Sequence, residues 1–218
     1  MTLLQLRTLC LSWLDDINGG YFTTAQMNVF LNNAQKEVQK LLLQSGELYY
    51  TKSVETTMVV NQTDYVIPTD FLKVHRLLIV LSGTSPNEET QTLQSITLNQ
   101  QDLFDNQSTN PLAYYLKRSR FVMVPPPANA LVLRIEYSYL VADMTLDADV
   151  PDVPTQYQEY IAVLATIDGF LKDGRDASMM LTKKAFYEEL MKQDQQNRKQ
   201  DGPRMVVTTR SEGWEALF

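Results

Sequence analysis

Three consecutive prolines, Pro125–Pro127, interrupt the stretch Ala113–Tyr139 and limit what this chain can build. Proline lacks a backbone N–H and fixes φ, so neither a helix interior nor a central strand passes through that point. On either side lie short apolar runs, Ala113–Leu116, Phe121–Val124 and Ala130–Tyr139, separated by Lys117–Arg120 and by Pro125–Asn129. Val, Ile, Phe and Tyr at near-alternate positions suit a pleated, half-buried surface. The middle of the chain therefore reads as β structure, and the sequence on both sides of it as helix.

The segment Thr2–Ile17 places Leu3, Leu6, Cys10, Trp13, Leu14 and Ile17 on one helical stripe, and Asn18-Gly19-Gly20 ends it. Thr23 and Gln26 have the spacing of a capping box. Behind them Met27, Phe30, Leu31, Ala34, Val38, Leu41 and Leu42 recur at helical spacing. Two helices joined by so short a turn are expected to pack antiparallel. From Tyr49 the period changes to two. Tyr50–Val60, Tyr65–Ile67, Lys73–Leu81 and Leu93–Leu98 join the runs above as six or so short strands, a small sandwich or meander. Past the acidic connector Asp143–Pro154, Thr155–Gln158 repeats the capping-box spacing. Tyr157, Tyr160, Ile161, Leu164, Ile167 and Leu171 form a third helical face, and Asp173-Gly174 breaks it. A fourth helix starts near Asp176 with Met179, Met180, Ala185, Phe186, Leu190 and Met191.

The fold class expected from these patterns is α+β. An antiparallel helical bundle, residues 1–48 and 154–200, carries an inserted small antiparallel β module, residues 49–153. An extended C-terminal tail, residues 201–218, follows.

Chemistry is harder to place. His75 is the only histidine and Cys10 the only cysteine. His75 reads as a strand-face residue, since a catalytic base needs an orienting partner. Cys10 reads as core, and two such ligands are too few for a zinc site. Asp143, Asp147, Asp149 and Asp152 lack the glycine and final glutamate of a calcium loop and read as a solvated connector. No glycine-rich phosphate cradle or serine elbow occurs. The expectation is a protein without catalytic residues, metal or cofactor. One cysteine cannot form an internal disulfide, and no leader or membrane-spanning run is present, so a cytosolic product is expected.

Charge points toward partners. The net charge of −7 argues against a general nucleic-acid clamp. Nine of the nineteen basic residues nonetheless fall between Lys172 and Arg210, opposite an acidic Asp143–Glu159. Copies can stack basic face to acidic face, with Lys183 and Lys184 meeting Asp147, Asp149 and Asp152. The tail presents Arg204, Met205, Val206, Val207, Arg210, Trp214 and Phe218 as candidate anchors for a partner groove.

The order of segments resembles a known family. Two N-terminal helices and a Thr-rich β run precede Asp64-Tyr65-Val66-Ile67-Pro68-Thr69-Asp70-Phe71 and Pro111-Leu112-Ala113-Tyr114-Tyr115. Val124-Pro125-Pro126-Pro127, Tyr137-Ser138-Tyr139 and Asp147–Tyr157 follow, before two closing helices. From Phe22 to Leu171 this resembles the head-to-tail adaptor (connector) proteins of tailed bacteriophages. The resemblance implies a virion neck protein assembled in the host cytoplasm. It implies a twelve-subunit ring beneath the portal protein, a C-terminal segment gripping that portal, a downstream tail or nozzle protein, and DNA passing through the lumen. A second reading, a carbohydrate- or ligand-binding β module, rests on Tyr114, Tyr115, Tyr137 and Tyr139 as stacking faces.

Overall fold

A computed structural model describes residues 1–18, 20–44, 49–83, 87–105 and 108–200. In chain order two α-helices precede the β region, α1 (Leu3–Trp13) and α2 (Thr24–Gln44), and two follow it, α3 (Gln158–Asp173) and α4 (Ser178–Gln200). Helix α3 is buried almost all round, from Tyr160 and Ile161 through Ala165 to Phe170, as a helix that is apolar on every side must be. The other three helices pack against it. Cys10 lies beside Ala162 and Leu14 beside Gly169, so α1 runs parallel to α3. Lys172, near the end of α3, reaches Gln26 at the start of α2, so those two run antiparallel. It follows that α1 and α2 are antiparallel to each other.

Capping follows local sequence, with one exception. Thr23 and Gln26 exchange both capping-box bonds at 3.3 Å. Thr2 and Gln5 do the same at the start of α1. The box expected at Thr155–Gln158 does not form; those residues begin with a 3-10 turn at Thr155–Tyr157. The Gln158 side chain is instead buried, accepting from the Met1 amino group and donating to the Val153 carbonyl. Gly174 ends α3 at φ 68°, a left-handed conformation that glycine adopts without a Cβ clash, and the Arg175 N–H closes on the Phe170 carbonyl at 3.0 Å. Ile17, expected on the first stripe, lies beyond the helix and is 72% exposed. The helix stops at Trp13, and Asp15 turns the chain at φ 58°.

The β region corrects the expected fold class. It is not a small antiparallel module on a helical bundle but two four-stranded sheets with clusters of their own. The first sheet has the order β1 (Thr51–Thr57), β8 (Val132–Tyr139), β3 (Phe71–Ser82), β4 (Glu89–Thr92). The second has the order β2 (Asp64–Val66), β7 (Arg120–Val124), β6 (Ala113–Lys117), β5 (Gln94–Ser95), and β5 pairs with β6 in parallel. Strands β1, β4 and β5 carry mostly Thr, Gln, Glu and Ser and are largely exposed; β1 and β5 fall within the expected runs Tyr50–Val60 and Leu93–Leu98, whereas β4 has no apolar alternation to announce it. Between the sheets Leu77, Ile79, Leu133, Ile135 and Tyr137 meet Tyr65, Tyr114, Phe121 and Met123. The outer face of the second sheet holds a smaller cluster of Ala113, Tyr115, Val122 and Val124, covered by Ile96 and Phe104. The peptide Val124–Pro125 is cis, and the proline run leaves the sheet there. No helix among the described residues is long and apolar enough to cross a membrane.

Candidate functional site

The β sandwich is joined to the helical frame by main chain held in side-chain amides. Asn32, Gln35 and Gln39 sit on one side of α2 and face the segment 139–144 as it leaves β8. Gln39 donates to the Tyr139 carbonyl at 2.6 Å and accepts from the Val141 N–H at 3.2 Å. Gln35 donates to the Ala142 carbonyl at 2.9 Å. Asn32 donates to the Met144 carbonyl at 3.0 Å and accepts from its N–H at 2.8 Å. A primary amide offers both donor and acceptor, so it satisfies an extended main chain as a neighbouring strand would. Gln39, 1% exposed, has both ends of its amide bonded, as so buried a group requires. Gln35, equally buried, donates from its amide nitrogen, while its Oε1 has no partner among the described residues. Beyond the grip, the Leu3 and Leu4 N–H groups donate to the Asp149 and Asp147 carbonyls at 2.8 and 3.1 Å. Arg7, largely buried, bonds Asp147 at 2.8 Å and Asn28 at 3.1 Å.

The acidic connector is therefore structural in detail. Asp149 accepts from the Leu146 and Thr145 N–H groups at 2.8 and 2.7 Å, which holds its carboxyl below the ordinary range. Asp152 accepts from the Tyr139 hydroxyl at 2.6 Å; burial first, then this carboxylate, pushes that phenol well up. Asp143 pairs with Lys36 at 2.6 Å. Across the first sheet Asp70 accepts from Lys52 at 2.9 Å and from Tyr137 at 2.8 Å, and chiefly Lys52 lowers its pKa. Lys52 also lies 3.9 Å from the Tyr139 ring centre.

The residues expected to meet across subunits all have partners within the chain. Asp147, Asp149 and Asp152 are engaged as above. Lys183 lies 4.3 Å from the Trp13 ring centre, and Lys184 bonds Glu37 at 3.1 Å. The tail anchors Arg204, Met205, Val206, Val207, Arg210, Trp214 and Phe218 lie outside the described residues.

The other candidates sit in ordinary surroundings. Cys10 is buried, its thiol 3.4 Å from the Ala162 carbonyl, and burial raises its pKa to about 12. His75 Nε2 lies 2.8 Å from the Ser138 hydroxyl. Among the described residues no group of three or more His, Cys, Asp or Glu is placed to hold a metal ion. Tyr114, Tyr115 and Tyr137 are 4%, 8% and 2% exposed, so their ring faces are core and offer no platform to a sugar.

Surfaces remain. Helix α4 exposes Met179, Leu181 and Phe186, and the β6–β7 turn exposes Lys117, Arg118 and Arg120, with Arg118 at φ 55°. No curated protein matches the chain. The family model described as SU10 adaptor protein matches residues 1–210. The chain thus belongs to the SU10 adaptor protein family, a phage head-to-tail adaptor family, and has a structural adaptor role.

Proposed function

We propose that the protein forms a ring of about twelve copies beneath the portal, the symmetry that the adaptor resemblance implies. The ring joins capsid to tail in the virion neck and surrounds the DNA channel. The observation that carries this reading is the match of an adaptor family model to residues 1–210, nearly the whole chain. Two further features support it. The amide grip fixes the sandwich on the helices, so that each copy presents its flanks at one set angle. A net charge of −7 suits a conduit, because a wall rich in free cations would hold phosphates and slow passage. The C-terminal tail reaches up to the portal with Trp214 and Phe218 as anchors, and a tail or nozzle protein docks on the opposite side. Assembly takes place in the host cytoplasm.

Portal capture tests this reading. Full-length protein is mixed with purified portal rings, and the co-sedimenting fraction is compared with that of Trp214→Ala/Phe218→Ala. Removing two aromatic anchors is expected to weaken capture by about a thousandfold, since central aromatics are worth about 2 kcal/mol each. Equal capture of both proteins removes the tail from the portal contact. No capture of either removes the portal from the reading.

A further inference from the structure

Among the described residues strand β1 is an edge strand with one hydrogen-bonding side unpaired. It pairs there only with β8, through seven consecutive partners from Thr51↔Ser138 to Thr57↔Val132, with no register shift. The ladder's phase is fixed at both ends. The Tyr139 N–H donates to the Tyr50 carbonyl at 3.0 Å and the Met58 N–H to the Leu131 carbonyl at 2.7 Å. Residues 50, 52, 54, 56 and 58 therefore turn their backbone groups toward β8. Thr51, Ser53, Glu55 and Thr57 turn theirs outward. Among the described residues those outward groups have no backbone partner.

Edge strands are normally blunted by shortness, bulges, proline or projecting charge. The other edges, β2, β4 and β5, are three, four and two residues long. Strand β1 has seven residues and no proline. Its two charges are tied back, Lys52 to Asp70 at 2.9 Å and Glu55 to Arg134 at 2.6 Å. Its inner face is also open, with Val54 38% exposed. An edge of this kind is a template for an added strand.

The sequence beyond α4 contains a segment that fits. Arg204–Arg210, RMVVTTR, has the length of β1 and is rich in β-branched residues. In an antiparallel register that sets Val207 opposite Val54, all seven residues pair, from Arg204 at Thr57 to Arg210 at Thr51. Alternation then puts Met205 and Val207 on the face of Val54, and both arginines on the face of Glu55. The matched family region ends at residue 210, so it takes in this segment and stops short of Trp214 and Phe218. Helix α4 carries it in a useful direction. Asp194 accepts from Tyr157 and Gln156 at 2.6 and 2.9 Å, beside the start of α3 where the chain arrives from β8. Nine further residues follow Met191 to the helix end at Gln200, about 14 Å at 1.5 Å per residue.

We infer that residues Arg204–Arg210 of one copy add as an antiparallel strand to the β1 edge of a neighbouring copy. This rests on the ring reading above and divides the tail: its first half ties copy to copy, and its last eight residues stay free for the portal. Such donation is head-to-tail, the contact type that closes into a ring.

Two full-length chains, Val54→Cys and Val207→Cys, test it. This pair is not hydrogen-bonded, so its Cα atoms would lie about 4.5 Å apart, within disulfide reach. Cys10 is buried and stays silent. Mixed under mild oxidation, the two chains are expected to give a disulfide-linked pair that neither gives alone. Adding Ser53→Pro to the Val54→Cys chain removes an outward N–H and spares the β8 ladder. It is expected to lower the yield by about tenfold, the loss of roughly one good contact, with the circular dichroism unchanged. A ring of discrete native mass without the cross-link overturns the strand donation and leaves the ring standing. Monomer without cross-link overturns both. A chain with both cysteines that links only to itself shows that the segment covers its own edge, and that also overturns the proposal.

Discussion

Gln39→Leu is expected to destabilise the protein by about 2–5 kcal/mol, a large part of the stability of an ordinary domain. Leucine keeps the helix propensity and nearly the volume of glutamine, so the loss isolates the two hydrogen bonds. Without the amide, the Tyr139 carbonyl and the Val141 N–H lose their partner at a place where Val141 is 2% exposed. Each buried, unbonded group costs about 1–3 kcal/mol. Gln39→Glu keeps the acceptor for Val141 and loses the donor to Tyr139, and it also buries a charge. It is expected to fail as badly at neutral pH and to recover in part on acidification. Urea unfolding of the three proteins reads the difference. An unchanged midpoint for Gln39→Leu would mean that the two Gln39 hydrogen bonds contribute nothing to holding the sandwich on the helices.

Gly169→Val is the second large effect. Gly169 lies in α3 where α1 crosses it, and an added Cβ would come within 2.8 and 2.9 Å of the Leu14 methyl carbons. Those atoms are the end of a side chain that can turn. Alanine therefore costs little, its gain of about 1 kcal/mol in helix propensity offsetting the squeeze. Valine adds two branches that cannot both avoid Leu14, which is 1% exposed, and is expected to cost about 3 kcal/mol. Leu14→Ala in the valine background should restore part of the loss if overpacking is the cause. Calorimetric midpoints of the single and double variants separate this from a propensity effect, which Leu14→Ala would not rescue.

These two sites also mark the limit of what the sequence discloses. The apolar spacing of α1, α2 and α3 and the box at Thr23–Gln26 follow from local periodicity, and they are where periodicity places them except at the helix ends, where Ile17 and Leu171 are exposed. Asn32, Gln35 and Gln39 lie at the same helical spacing, but an amide on an apolar stripe acquires meaning only when the main chain it holds is known. That chain arrives from residues 139–144, a hundred or more positions away. Arg7 and Asp147 hide each other in the same way: each reads as solvated until the pairing is seen. The division of the strands into two sheets is set by long-range pairing that local runs do not disclose, and the polar edge strand β4, ETQT, shows neither alternation nor an apolar run. The adaptor family was legible in the order of its segments, a feature that survives when individual residues vary.

The most direct measurement is the native mass of the purified full-length chain, taken alone, with portal rings and with added duplex DNA. The expected result is one discrete species at about twelve times the 25.0 kDa chain, formed alone or on portal rings, with a mass that duplex DNA at physiological salt does not change. A chain that stays at 25.0 kDa in the presence of portal rings, or a ring that retains DNA tightly and releases it with salt, would contradict it.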